Sequence, residues 1–89
     1  MTLEPHDGLD AVTPEAAAEL ASVLDAAWTD HGVATFVRFA HEMNGSWYPW
    51  GQQPEAYVEA FRTVAAAVHE GSPASAMVWA PNEGAGYPF

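Results

Sequence analysis

Hydrophobic positions along the chain recur with helical spacing in two segments. Apolar residues appear every three or four positions over Ala17–Trp28, which predicts a helix with one apolar face. Thr13-Pro14 begins it with a capping hydroxyl and a proline suited to the first helical position, and Gly32 follows its end. A second helix is predicted over residues 54–71, with its apolar face at Tyr57/Val58, Phe61, Val64/Ala65 and Val68.

Short, continuous apolar runs rich in β-branched and aromatic residues predict buried strands at Val33–Ala40 and Ser75–Ala80. Thr2–Glu4 could be the remaining part of an earlier strand. Residues 41–53 are predicted to form a loop, because they include Asn44-Gly45 and other turn residues. Strands that alternate with helices of this length predict βαβ units, a parallel sheet and right-handed crossovers.

Composition excludes several classes of function. Two basic residues against twelve acidic ones give a net charge of −10, which does not fit a nucleic-acid-binding protein or one that binds an anionic membrane. A neutral substrate suits this charge better. There is no cysteine, so disulfides, zinc–thiolate sites and thiol catalysis are excluded. Met1–Pro5 has neither the basic nor the apolar region of a signal peptide, and the compartment stays open.

The segment that carries candidate chemistry begins where the first buried strand ends, at His41-Glu42. A zinc-protease site would need a second histidine at position 45, which is Gly45, and Ser46 has no nucleophile-elbow context. No metal or cofactor is predicted. A carboxylate mechanism fits better, because apolar surroundings from the aromatic loop should raise the pKa of Glu42 as a general acid requires. A solvated loop glutamate is the alternative from spacing alone.

The whole of Arg38–Gly51 resembles the acid/base motif of glycoside hydrolase family 26, which holds β-mannanases and some β-1,3-1,4-glucanases. Leu3-Glu4-Pro5, Ala56–Arg62 and Val78–Asn82 resemble the family in the same register, so the likeness spans nearly the whole chain. The resemblance implies a retaining (β/α)₈-barrel enzyme that acts on a polysaccharide or oligosaccharide and is often secreted. A complete barrel needs about 250 residues. The fold expected is therefore α/β, with residues 1–89 as an internal fragment covering about strands three to five and two intervening helices.

The resemblance also assigns roles to single residues. Glu42 matches the acid/base, His41 the residue before it that contacts the sugar or the nucleophile, and Trp47 an aromatic beside the scissile bond. Trp50 could line the same subsites or pack the loop, and Asn82 could bind sugar or cap its loop. The family's nucleophile is a glutamate at the end of strand seven, which has no match here, so it is expected outside the chain. Glu83 is the one local substitute.

These assignments lead to a main interpretation and two rivals. The main one is part of a retaining endo-β-glycanase for β-mannan or a related β-glucan, with the 89-residue chain inactive alone. The first rival is a non-catalytic carbohydrate-binding protein on a degraded barrel that uses Trp47 and Trp50. The second is an α/β interaction domain with no role in sugar binding. A strand-end glutamate roughly 80–120 residues after Phe89 would support the enzyme, counting in ~30-residue βαβ units.

Strand geometry gives expectations that a structure can test. Phe36–Ala40 and Ala76–Trp79 should be parallel, with Glu42, Trp47 and Asn82 together at their carboxyl ends. Arg38 should point into the would-be barrel and approach Glu4 or Glu42, and an ion pair inside the barrel, perhaps with Glu4, is expected because buried arginine is almost always paired. The residues expected to face the barrel interior are Phe36, Ala40, Met77 and Trp79.

Overall fold

A computed structural model describes residues 1–84, and these fold as alternating strands and helices. The elements are strand β1 (Thr2–Leu3), helix α1 (Pro14–His31), strand β2 (Phe36–Phe39), helix α2 (Pro54–Gly71) and strand β3 (Ala76–Val78). A short 3₁₀ turn at Leu9–Ala11, absent from the sequence prediction, precedes α1 and buries Leu9. The predicted α/β order is confirmed, although each strand is shorter than the segment predicted for it.

Local chemistry sets the bounds of α1 as the sequence predicts. The Thr13 hydroxyl accepts a hydrogen bond of 3.1 Å from the Ala16 amide and caps the helix N-terminus. Gly32 ends the helix at φ 67°, a left-handed conformation that glycine adopts without a steric penalty. Helix α2 likewise starts with a proline and ends at Gly71. A Cβ on Gly71 would come within 2.9 Å of the Ala21 methyl group, so its glycine allows the two helices to approach closely.

The three strands form one parallel sheet in the order β1-β2-β3. Thr2 pairs with Arg38 on one side of β2, and Val37 pairs with Met77 on the other. The parallel arrangement of the two longer predicted strands is thus confirmed. Because the order in space follows the order in sequence, the carboxyl ends of β2 and β3 lie side by side at one edge.

The core lies between the sheet and the two helices. Val37 and Phe39 are fully buried on the helix-facing side of β2, and the Phe39 ring lies 6.2 Å from that of Tyr57. Phe36, on the opposite side, is 71% exposed. One face of the sheet is therefore covered by α1 and α2, and residues 1–84 leave the other face largely uncovered. This arrangement is compatible with part of a barrel from family 26.

Several orientations predicted by strand alternation are wrong. Met77 pairs with Val37 and packs against the core, so it faces the helices and not the barrel interior. Trp79, two positions after Met77 and on the same side, lies beside Tyr57 and Phe61 of α2, although it stays 64% exposed. Ala40 is fully buried as part of the core, and the chain leaves the strand conformation there, at φ 48°. Of the four residues expected to face the barrel interior, Phe36 keeps that orientation.

Arg38 points to the uncovered side of the sheet, as predicted for a residue that faces the barrel interior, but it does not form the expected ion pair with Glu4 or Glu42. The Arg38 guanidinium instead donates two hydrogen bonds, of 3.2 and 2.9 Å, to the Thr2 hydroxyl on the neighbouring strand. Glu4 pairs with His6 at 3.0 Å. Arg38 lies on the uncovered side of the sheet and is exposed there, so the burial that would have required a charged partner does not arise.

Candidate active site

The predicted gathering of Glu42, Trp47 and Asn82 at the carboxyl ends of β2 and β3 is confirmed. The Glu42 carboxylate accepts a hydrogen bond of 2.7 Å from the Asn82 side-chain amide at one oxygen and one of 3.2 Å from the Trp47 indole N–H at the other. Each carboxylate oxygen thus has one donor. Because the donors come from different loops, the carboxylate is fixed in direction while its outer side stays open.

The two donors also affect the pKa of Glu42. The pKa of Glu42 is lowered, first by the hydrogen bond from Asn82 and then by that from Trp47, which outweigh desolvation; His41 and Arg38 add smaller contributions. The expectation that the Glu42 pKa is raised is therefore wrong in the part of the chain that the structure describes. The aromatic side chains of the loop do not enclose the carboxyl group, and both of its hydrogen bonds favour the ionised form.

The backbone around Glu42 takes an uncommon course. Ala40 and Glu42 have φ values of 48° and 56°, in the left-handed region that disfavours residues with a Cβ. The turn allows the Glu42 amide to donate a hydrogen bond of 2.8 Å to the Ala80 carbonyl, just beyond β3. The chain is thus tied to the neighbouring strand end at the residue that carries the carboxylate. Strained backbone of this kind clusters at functional sites.

Trp47 and Trp50 occupy opposite environments in the loop. Trp47 is 53% exposed, as its predicted sugar-stacking role requires. Trp50 is fully buried: its ring stacks on Tyr48 at a centroid distance of 4.3 Å, and its indole N–H donates a hydrogen bond of 2.9 Å to the His41 carbonyl. The prediction that Trp50 binds substrate does not fit this position. Of the two uses left open from the sequence, packing of the loop is the one that the structure supports.

His41 lies between the core and the open side of the site. It is half-buried, and its Nε2 atom lies 3.3 Å from the Tyr48 hydroxyl. Its Nδ1 atom is buried and has no hydrogen-bond partner among residues 1–84. His41 is therefore next to Glu42, as predicted, but its side chain is oriented by Tyr48, and its role toward a sugar stays a prediction.

Two glycines let the loop fold tightly beneath Trp47. A Cβ added to Gly45 would overlap the six-membered ring of Trp47, so the indole lies directly against the glycine backbone. A Cβ added to Gly51 would overlap the Gly45 carbonyl oxygen. The sequence indicates only that these glycines belong to turns. The structure shows that they provide the space that brings the Trp47 N–H to Glu42.

Asn44 is a site residue that sequence reasoning missed. It is 3% exposed, and its side chain makes two hydrogen bonds to the backbone of Asn82, donating to the carbonyl at 2.7 Å and accepting from the amide at 2.9 Å. Its own carbonyl accepts from the Gln52 side chain. Within the sequence, Asn44-Gly45 is a common turn signal, and that interpretation hid the structural use of the side chain.

The remaining candidates take no part in this cluster. Glu83, the substitute nucleophile, is exposed in the turn after Asn82. In the part of the chain that the structure describes, histidine and acidic side chains form no group of three or more that could hold a metal ion. None of the helices described is long and apolar enough to span a bilayer.

Comparison with known protein families matches residues 9–88 to the model of Glycosyl hydrolase family 26. No curated protein and no solved structure matches the chain. The family match covers nearly all of the 89 residues, including the loop that carries Glu42 and Trp47. The chain therefore belongs to glycosyl hydrolase family 26, a family of glycoside hydrolases that act on polysaccharides.

Proposed function

We propose that Glu42 is the acid/base residue of a retaining endo-β-glycanase that hydrolyses β-mannan or a related β-glucan. The observation that carries this proposal is the carboxylate fixed by two donors at a parallel sheet edge, beside an exposed indole. The carboxyl ends of parallel strands are where barrel enzymes place their catalytic groups. An exposed aromatic ring next to a carboxylate suits a neutral sugar, whose C–H face packs against the ring.

In this mechanism Glu42 first protonates the leaving oxygen and later removes a proton from the attacking water. The lowered pKa fits the second role, in which the carboxylate must be ionised. The first role needs a higher pKa. We propose that the substrate, which displaces water, and a nearby nucleophile carboxylate, which adds negative charge, provide it.

We propose that the nucleophile lies outside these 89 residues. A retaining mechanism requires a second carboxylate about 5–5.5 Å from the first, on the opposite side of the sugar. The uncovered face of the sheet, where Phe36 is 71% exposed, supports a larger fold, because further strands of a (β/α)₈ barrel would cover it. The portion from strand three to strand five remains the proposed place of residues 1–89 in such a barrel.

The test compares Glu42→Gln with the natural full-length protein on two substrates. Polysaccharide hydrolysis should slow by several orders of magnitude, whereas aryl glycosides with acidic leaving groups should lose much less, because such groups depart without a proton. Glu59→Gln, on the exposed side of α2, is the matched control and should leave both rates unchanged. Equal losses on both substrates would contradict an acid role for Glu42.

Binding measurements on the same proteins separate the enzyme from a carbohydrate-binding protein. If the natural protein binds mannan or glucan but turns over neither polysaccharide nor aryl glycoside, the hydrolase proposal fails. Trp47→Ala should weaken binding in either case, so it tests the sugar-facing role of the exposed ring independently of catalysis.

A further inference from the structure

The direction of the Glu42 carboxylate depends on a residue whose own position needs support. Asn82 donates the shorter of the two hydrogen bonds to the carboxylate, at 2.7 Å. It lies in irregular backbone beyond β3, which ends at Val78, so no strand pairing holds it. The Asn82 side chain is oriented locally, because its oxygen accepts a hydrogen bond of 2.8 Å from the Gly84 amide, which leaves its NH₂ group for Glu42.

Asn44 supplies the support that the strand does not. Its side chain carries the same donor and acceptor as a peptide group, and both are used on Asn82, at 2.7 and 2.9 Å. Together these bonds fix the Asn82 backbone much as a neighbouring strand would. Asn44 is 3% exposed, so solvent does not compete for the bonds, and its loss would leave partly buried polar groups without partners.

The loop after β2 holds Asn44 in turn. The Gln52 side-chain NH₂ group donates to the Asn44 carbonyl, and the Gln52 backbone N–H donates a hydrogen bond of 2.8 Å to the Met43 carbonyl. A continuous series of hydrogen bonds thus runs from Gln52 through Asn44 and Asn82 to the carboxylate. Gln52 and Glu42, the first and last residues of this series, both belong to the loop after β2, so the hydrogen bonds leave that loop at Asn44 and return to it at Glu42.

We propose that Asn44 is a positioning residue for the acid/base: it holds Asn82 so that the Asn82 amide keeps the Glu42 carboxylate aimed at the open side of the site. The catalytic consequence rests on the function proposed above, whereas the link from Asn44 to Glu42 does not. Asn44 does not touch the carboxylate. It acts through Asn82, and that indirect action is what distinguishes it from a residue that only packs the loop.

The experiment is a double-mutant cycle read out on the Glu42 carboxyl group. The natural full-length protein is labelled with ¹³C at the glutamate carboxyl carbons and titrated by NMR, with the Glu42 resonance assigned as the one missing from Glu42→Gln. Asn82→Ala should raise the Glu42 pKa by removing its closest donor. Asn44→Ala should raise the pKa in the natural background and have little effect when Asn82 is already alanine.

Gln53→Ala is the matched control. The Gln53 side-chain NH₂ group also donates within this loop, in a hydrogen bond of 2.8 Å to the Pro49 carbonyl, and no hydrogen bond joins Gln53 to Asn82 or Glu42. The Glu42 pKa should not change in this variant. If Asn44→Ala shifts the pKa equally in both backgrounds, or in neither, the proposal is overturned, since the effect would not pass through Asn82.

Should Asn44→Ala fail to fold, Asn44→Asp replaces it in the cycle. Aspartate keeps the side-chain size and the acceptor for the Asn82 backbone amide, but it removes the donor and adds a negative charge. Its added charge affects Glu42 in both backgrounds, so the part of the shift that disappears with Asn82→Ala still measures the link. A shift that persists unchanged in the Asn82→Ala background overturns the proposal.

Kinetics connect the link to the reaction. With polysaccharide, Asn44→Ala should lower kcat on the order of 10- to 100-fold, the cost of a displaced catalytic group. It should also shift upward the alkaline limb of the pH–rate profile, where the general acid loses its proton. Aryl glycosides should show a smaller loss. A natural protein without glycosidase activity would refute the proposed function. The pKa cycle would still decide whether Asn44 positions the carboxylate.

Discussion

The two tryptophans of the loop give a direct contrast between a residue that holds the site and one that faces the substrate. Trp50 is fully buried and Trp47 is 53% exposed, although the two are three positions apart. We predict that Trp50→Ala destabilises the protein much more than Trp47→Ala does, whereas substrate binding should weaken directly in Trp47→Ala.

The expected magnitudes follow from what each side chain contacts. Replacing a buried tryptophan with alanine costs about 3–5 kcal/mol in free energy of unfolding. Trp50→Phe keeps an apolar ring but leaves the His41 carbonyl without its 2.9 Å donor, which costs about 1–3 kcal/mol. Trp47→Ala removes a half-exposed ring and its 3.2 Å hydrogen bond to Glu42, and should cost about 0.5–1.5 kcal/mol. Since domains are stable by about 5–15 kcal/mol, the first change is large and the last is small.

The assay is urea unfolding of the natural full-length protein and its variants, followed by far-UV circular dichroism so that the loss of tryptophan fluorescence does not interfere. Isothermal titration with a mannan oligosaccharide measures binding in the variants that remain folded. A Trp50→Ala protein as stable as the natural one would refute the assignment of this residue to the core. If Trp47→Ala were as destabilising as Trp50→Ala, the contrast between the two positions would be wrong.

Three further predictions follow from the site and the sheet. The pKa of Glu42 is lower in the folded protein than its ordinary 4.5, so the ionised carboxylate stabilises the fold above pH 4.5 and this contribution is lost as the pH falls through the folded pKa. Glu42→Gln should therefore flatten the acid side of a plot of Tm against pH. Gly45→Ala should displace the Trp47 ring and reduce activity; unchanged kinetics would contradict this. Residues 1–89 alone should show no glycosidase activity, because the proposed nucleophile lies outside them. They should also unfold without a cooperative transition, because Phe36 and Trp79 are 71% and 64% exposed; a folded, active monomer would refute this.

Features set by local chemistry are those that the sequence predicts well. Helix α1 begins after Thr13 and ends before Gly32, because a capping hydroxyl and a left-handed glycine act within one turn. The meeting of Glu42 with Asn82 is also predictable, since neighbouring parallel strands end at the same edge of a sheet. The family motif adds the roles that spacing alone leaves open.

Features that depend on distant partners are not predictable in this way. The contacts of Asn44 join residues 38 positions apart, and nothing near Asn44 in the sequence indicates them. The different burial of Trp47 and Trp50 arises in an irregular loop, where no periodicity shows which side chain faces inward. The Glu42 pKa depends on two hydrogen bonds whose geometry only the folded loop provides, so the number of nearby aromatic residues indicated the wrong direction.

The left-handed backbone at Ala40 and Glu42 has a consequence for attempts to stabilise this protein. A backbone of φ 56° is easiest for glycine, so a design method that optimises local conformation would favour replacing Glu42, and with it the carboxylate. Each such residue costs on the order of 1–3 kcal/mol. The segment is thus locally frustrated, and its conformational preference conflicts with the side chain that the proposed chemistry requires. Stabilising substitutions are better sought on the exposed faces of α1 and α2, where sequence and backbone already agree.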